Sequence, residues 1–318
     1  MQIVLIIAYL AVAASVVWAS ILASRYIDLL DRTTRLSGAF LGGVLLSAVT
    51  SLPELFTSLS ATVALHKPSL CLGNILGSNL FNIAILSLCT LAAIRHVGRT
   101  RFAKGNIRVA AYIIFIYGII LLDYFELLGP EISSIKIITP IIAVLYILAV
   151  RHLSGEQSEP GTDDNTPITL SQKGIILRFI ASSIAIIVLS IVMTYITDAV
   201  AKEFSIGAGL AGALLLGVAT SLPEVSSTIA LFRIKNYNIA IGNIVGSNLF
   251  NFIVLCIADV ACFHESVYIY DDPKITLLLK FGFGAALLSV LMLRIRNPYV
   301  RAVCAMASVV CYALFLVI

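Results

Sequence analysis

Gly73-Asn-Ile-Leu-Gly-Ser-Asn-Leu-Phe-Asn82 returns almost letter for letter as Gly242-Asn-Ile-Val-Gly-Ser-Asn-Leu-Phe-Asn251. Upstream, Thr50-Ser-Leu-Pro-Glu54 returns as Thr220-Ser-Leu-Pro-Glu224, so the two motifs recur at spacings of 169 and 170 residues. One unit has been duplicated. Each copy sets a carboxylate, hydroxyls and amides inside strongly apolar sequence. Polar groups there cost free energy and persist where they face a cavity or pathway.

The rest of the chain is apolar enough to use lipid as its solvent. Hydrophobic residues make up 60% and charged residues 12%, with a mean hydropathy of +1.03, far outside the soluble range. A bilayer span needs about 20 apolar residues. Ten runs qualify, roughly 3–24, 37–65, 69–94, 107–123, 134–151, 174–198, 207–232, 238–262, 274–293 and 299–317. They lack the strict alternation of a β-barrel, so the expected class is an all-α polytopic membrane protein of ten transmembrane helices. Runs much longer than a straight span call for tilt or a break.

The net charge of +4 would suggest nucleic acid in a soluble protein; here its distribution sets orientation instead, and no nucleic-acid partner is expected. With the N-terminus outside, the inward loops hold sixteen Lys and Arg residues and the outward loops only Lys67, Lys136, Lys202 and Lys274. This positive-inside bias puts both termini on the non-cytoplasmic side. The first span lacks a basic n-region and is too long for a signal-peptide core, so it reads as a retained helix. The six cysteines form no C-x-x-C pair and read as small buried hydrophobes. The four histidines are scattered near span ends, unlike a metal cluster.

The longest polar stretch runs from His152 to Lys173 and is rich in Pro, Gly, Ser and acids, the composition of a linker. Its Asp163-Asp164-Asn165 lacks the spaced ligands and closing Glu of an EF-hand. The expected organisation is a first five-helix repeat over 1–151, a cytoplasmic linker over 152–173 and a second five-helix repeat over 174–318. An odd number of spans per repeat inverts the second copy, an architecture of secondary transporters with a shared midplane site.

The repeated segments carry the chemistry. Pro53 and Pro223 have no N–H, so the carbonyls of Val49 and Ala219 lose their helical partner and each helix kinks or opens. Thr50 and Glu54 stand four apart and share a face, as do Thr220 and Glu224, with Ser58 and Thr228 one turn on. Ser78 with Asn82, and Ser247 with Asn251, repeat that spacing on the third and eighth spans. All-oxygen ligands suit hard cations such as Ca²⁺ and Na⁺, and two carboxylates neutralise one Ca²⁺. The pairs Gly73/Gly77 and Gly242/Gly246 fit close helix packing or ion contact, and each hydroxyl either ligates or bonds back to its own helix. Asp259 and Lys280 read as snorkelling, loop-facing or locally paired charges.

On these four motif segments and ten spans, the chain resembles the calcium/cation antiporter superfamily, in the sodium/calcium exchanger family of prokaryotic type. Thr50-Ser-Leu-Pro-Glu54 with Gly77-Ser-Asn-Leu-Phe-Asn82, and Thr220-Ser-Leu-Pro-Glu224 with Gly246-Ser-Asn-Leu-Phe-Asn251, match its two alpha-repeats. The resemblance implies a cation cluster between helices 2, 3, 7 and 8, with Glu54 and Glu224 binding Ca²⁺ and sharing in Na⁺ binding. It implies that Thr50, Ser51, Thr220 and Ser221 lend carbonyl or hydroxyl oxygens, and that Ser78, Ser247 and Asn82 fill the matching places. Helices 1 and 6 slide past the other eight in the family. Asn251 departs from the aspartate that commonly closes the second repeat, leaving two acids rather than three. The linker is also shorter than the sensor-bearing loop of animal exchangers.

The function implied is secondary antiport of Ca²⁺ against Na⁺ by alternating access, with no enzymatic step and no cofactor beyond the transported ions. Ca²⁺/H⁺ exchange through the same two glutamates is the near alternative, because a buried carboxylate holds either a metal or a proton. A cation channel is a further alternative, but channels place selectivity groups in symmetric rings. The partners are Ca²⁺, a monovalent cation and the lipid bilayer, and the location is a prokaryotic plasma (inner) membrane.

Overall fold

Pro68, Pro273 and Pro298 each open a helix, where a missing N–H leaves no bond unmade and the fixed φ suits the first turn. Side chains of Asp272 and Asn297 cap the last two by accepting from backbone N–H groups. A computed structural model describes residues 2–33, 41–128, 136–154, 170–206, 208–262 and 266–318; among these there are helices and no strand.

In chain order the helices are α1 (Gln2–Thr33), α2a (Gly43–Thr50) with α2b (Leu52–Ala64), α3 (Pro68–Ala92), α4 (Lys104–Tyr124), α5 (Ile138–Ser154) and α6 (Gln172–Glu203). They continue as α7a (Gly212–Thr220) with α7b (Leu222–Arg233), α8 (Tyr237–Ala261), α9 (Pro273–Arg294) and α10 (Pro298–Val317). Among the described residues seven helices are long and apolar enough to cross a membrane, and nine spans result when each bent pair counts as one. The apolar helix α5, at 17 residues, is shorter than the ~20 a bilayer core asks for. Of the polar stretch 152–173, residues 155–169 lie outside the described residues; its ends continue α5 to Ser154 and begin α6 at Gln172.

The two prolines do what their chemistry demands. The second span bends by 45° between α2a and α2b, and the seventh by 46° between α7a and α7b. Each bend falls at the serine two residues before the proline, Ser51 or Ser221, and the proline then sits in the first turn of the next helix. Segments Leu41–Leu46, Ser60–Ala64 and Gly212–Leu216 are wound as π-helix, a winding often met at functional sites. Beyond each broken helix the chain reverses through a left-handed residue, His66 (φ 53°) or Lys235 (φ 62°), 169 positions apart like the downstream motif.

Helices α3 and α8 are the most enclosed, and α1 and α6, which pack along each other, are among the least. The broken helices grip the central pair through glycines. A Cβ on Gly246 of α8 would lie 2.3 Å from the Gly43 carbonyl oxygen, and one on Gly77 of α3 would lie 2.7 Å from Ala213 Cα. Gly212 of α7a meets the Leu70 carbonyl as closely, at 2.4 Å. Close packing therefore accounts for Gly77 and Gly246.

Three charges settle differently from simple snorkelling. Asp259 is 1% exposed and accepts from Thr139 Oγ1 (2.6 Å), Ser266 Oγ (3.2 Å) and the Val267 N–H (3.2 Å), so it anchors a loop from inside. Lys280 lies over the Tyr124 ring, 5.9 Å from its centroid. Arg301, one of the sixteen basic residues that the charge bias assigns to the inward side, is fully buried in α10. Its guanidinium donates to the carbonyls of Val97, Thr100 and Met292 and stacks on Phe102. At the far end of α6, Asp198 takes ion pairs from both Lys67 and Lys202, tying α6 to the turn before α3.

Candidate cation site

The bends at Ser51 and Ser221 turn each serine toward the other repeat. Ser51 Oγ donates to Glu224 Oε1 at 2.9 Å, and Ser221 Oγ donates to Glu54 Oε1 at 3.1 Å. The Ser78 hydroxyl is shared between the Gly217 carbonyl (3.0 Å) and Glu54 Oε1 (3.4 Å). The two glutamates thus stand in one cluster, and no third His, Cys, Asp or Glu joins them among the described residues. The local sequence explains their aim: Pro-Glu sets each acid in the first turn of α2b or α7b, just past the bend, within reach of the other repeat's serine.

The threonines are held by asparagines. Thr50 Oγ1 lies 3.3 Å from Asn243 Oδ1 and 3.3 Å from Ser247 Oγ, and Thr220 Oγ1 donates to Asn74 Oδ1 at 3.2 Å. Asn74 Nδ2 in turn donates to Thr57 and Ser58 (both 3.1 Å), and Asn243 Nδ2 donates to Thr228 (3.4 Å). Each asparagine therefore joins its own repeat's second half-helix to the other repeat's bend. Ser58 and Thr228, one turn beyond the glutamates, serve this bracing.

A second layer lies one turn further along α3 and α8. Asn82 Nδ2 donates to Asn248 Oδ1 and Asn251 Nδ2 donates to Asn79 Oδ1, both at 2.9 Å. Asn79 Nδ2 reaches the Asn248 carbonyl (3.4 Å) and Asn248 Nδ2 the Asn79 carbonyl (3.0 Å).

Every one of the ten expected residues, Thr50, Ser51, Glu54, Ser78, Asn82, Thr220, Ser221, Glu224, Ser247 and Asn251, is buried. Four buried oxygens among them have no partner: Glu54 Oε2, Glu224 Oε2, Asn82 Oδ1 and Asn251 Oδ1. An unpartnered buried polar atom costs about 1–3 kcal/mol, and a charged one more. Four such atoms, two from each repeat, are more than packing alone explains, and all four are hard oxygen acceptors suited to a cation. Asn74, Asn79, Asn243 and Asn248 were not singled out from sequence, although all four stand inside the repeated motif. Buried amides recurring at matched positions were the available signal.

Comparison with known proteins agrees with this geometry. The family described as sodium/calcium exchanger protein matches residues 5–153 and 174–318, on either side of the polar stretch. The inner membrane protein YrbG of Escherichia coli is 30% identical over 237 residues, 72% of this chain and 70% of that protein. An uncharacterized membrane protein of Methanocaldococcus jannaschii, MJ0091, is 25% identical over 69% of this chain and 68% of its own length. Among solved structures, the sodium-calcium exchanger NCX_Mj shares the fold, with a TM-score of 0.71 at 18% identity over 100% of this chain and 99% of that one. With both halves matched and its apolar helices in place, the chain is an integral membrane protein belonging to the sodium/calcium exchanger family.

Proposed function

We propose that this protein is a secondary antiporter that exchanges Ca²⁺ for Na⁺ by alternating access, with Glu54, Glu224, Asn82, Asn251, Ser78, Ser247 and the Thr-Ser pairs at the two bends surrounding the transported ions. The observation that carries the proposal is the set of four unpartnered oxygens, contributed equally by the two repeats. Ca²⁺ takes about 6–8 oxygen ligands and Na⁺ is also an oxygen-seeking ion. Two carboxylates balance one Ca²⁺ or two Na⁺, so one set of atoms can hold either cargo in turn.

Burial of the whole cluster means that an ion enters or leaves only when helices move, which favours an exchanger over an open pore. Within the proposal α5 counts as a span, giving ten helices as two inverted repeats over 1–151 and 174–318, joined by a cytoplasmic linker over 152–173. Both termini then lie outside the cytoplasm, and the membrane is a prokaryotic inner membrane, as the name of the Escherichia coli relative suggests.

The test is ⁴⁵Ca²⁺ uptake into proteoliposomes holding the purified protein. Uptake driven by an outward Na⁺ gradient supports the proposal. Uptake driven only by a proton gradient makes the protein a Ca²⁺/H⁺ exchanger, and uptake that needs no counter-ion makes it a channel.

A further inference from the structure

The side-chain amide oxygen and nitrogen of an asparagine have nearly the same shape, so what an asparagine offers a cation depends on what fixes its orientation. Here two backbone carbonyls fix it. A carbonyl only accepts, so the Asn79 side-chain group reaching the Asn248 carbonyl (3.4 Å) must be Nδ2, and the group of Asn248 reaching the Asn79 carbonyl (3.0 Å) must be Nδ2 as well. Asn79 then has only Oδ1 to set against Asn251, and Asn248 only Oδ1 to set against Asn82. Both contacts are 2.9 Å and both require the partner's NH₂. The atoms left over are Asn251 Oδ1 and Asn82 Oδ1, both buried and unpartnered.

We infer that Asn79 and Asn248 are positioning residues that act crosswise, Asn79 on Asn251 and Asn248 on Asn82, so that each of those amides turns its oxygen and not its NH₂ toward the transported cation. The inference rests on the proposed cation-exchange function for what the oxygens do, but the orienting bonds stand independently of it. Turning Asn251 around would set its Oδ1 against Asn79 Oδ1 and its NH₂ toward a cation, losing a bond on one side and creating a repulsion on the other. The chain of dependence runs from a main-chain carbonyl on one helix, through an asparagine on its neighbour, back to a ligand on the first. It also couples residue identities: a carboxylate at position 251 would meet an acceptor, Asn79 Oδ1, with an acceptor.

Two readouts test this on the full-length protein. In the first, asparagine side-chain amides are labelled with ¹⁵N and their NH₂ resonances followed in detergent without Ca²⁺. Asn79→Ala should shift the Asn251 resonances and leave those of Asn82 in place, and Asn248→Ala should do the reverse. Equal shifts at both, or a shift only at the asparagine on the same helix, would overturn the crosswise assignment. In the second readout, Ca²⁺ uptake in liposomes, Asn79→Ala should raise the KM for Ca²⁺ about tenfold, a loss of roughly 1.4 kcal/mol, while the maximal rate per folded protein stays near wild type even though the unfolding midpoint falls, because the buried Asn251 Nδ2 and Asn248 carbonyl lose their partner. A purely structural role would lower the midpoint and the maximal rate and leave KM unchanged, which contradicts the inference.

A double-mutant cycle adds specificity. Asn79→Ala should add little to Asn251→Ser but its full effect to Asn82→Ser; the opposite pattern rejects the pairing. Should Asn79→Ala fail to fold, Asn79→Ser and its mirror Asn248→Ser carry the same expectations. If the wild-type protein moves no Ca²⁺ at all, the proposed function fails while the resonance shifts still decide the positioning role.

Discussion

Ser51 donates a hydrogen bond to Glu224 across 173 residues of sequence, and Ser221 returns the favour to Glu54 across 167. Each repeat therefore holds the other repeat's acid. Each acid has a second serine besides: Ser78 shares its hydroxyl with Glu54 Oε1 at 3.4 Å, and Ser247, its counterpart in the other repeat, stands against Glu224. A bond to a charged acceptor is worth about 1.5–3 kcal/mol. Ser51→Ala and Ser221→Ala should therefore each weaken Ca²⁺ uptake by roughly tenfold. The KM of each variant checks this, and an unchanged KM in a well-folded variant would contradict it.

The acids themselves admit a sharper outcome. Glu54→Gln and Glu224→Gln preserve size and remove one negative charge each, leaving a bound Ca²⁺ with net charge in the membrane interior. Such a charge costs at least ~2.5–3.5 kcal/mol, so uptake should fall roughly a hundredfold or more in either variant. Gel filtration and unfolding midpoints like those of wild type would show that the loss is at the site. Near-normal flux in a well-folded variant would remove that glutamate from the transport site.

Packing at the broken helices predicts a pattern among glycine substitutions. Gly246→Ala and Gly212→Ala push a methyl to 2.3 Å and 2.4 Å from main-chain oxygens, and overpacking of this kind typically costs ~1–3 kcal/mol. Both should lower the unfolding midpoint and slow transport. Gly118→Ala and Gly284→Ala meet nothing within 4 Å and should unfold at or slightly above the wild-type temperature. Differential scanning fluorimetry on the four variants separates the two groups, and equal midpoints would refute the close approach.

Orientation is tested from outside the cell. A cysteine replacing Ser158, in a background without the six native cysteines, should resist impermeant maleimide added to intact cells and react once they are opened. Rapid labelling of intact cells would invert the arrangement deduced from sixteen inward and four outward basic residues.

Local spacing made part of this molecule legible. Pro53 and Pro223 announced the two bends because a missing N–H acts within one turn, and Glu54 and Glu224 stood out because an acid in an apolar run needs a reason. The location of each bend at the preceding serine was less visible, since it depends on how the half-helices dock on α3 and α8. The asparagine brackets were not legible beyond their repetition. Asn79 meets Asn251, and Asn74 meets Thr220, only after chain segments 172 and 146 residues apart have packed. The same holds for Asp259, which Thr139 reaches across 120 residues, and for Arg301, whose carbonyl partners Val97 and Thr100 lie 204 and 201 residues away.

The two-acid site bears most directly on stoichiometry. With Asn251 neutral, Glu54 and Glu224 balance one Ca²⁺ or two Na⁺, so the exchange should move no net charge. The decisive measurement is simultaneous ⁴⁵Ca²⁺ uptake and ²²Na⁺ efflux in the same liposomes, with the membrane potential clamped by K⁺ and valinomycin at values of either sign. The predicted result is about two Na⁺ released per Ca²⁺ taken up, with a rate that hardly changes between the two potentials. Three or more Na⁺ per Ca²⁺ with a steep voltage dependence, or Ca²⁺ uptake with no Na⁺ efflux, would contradict it.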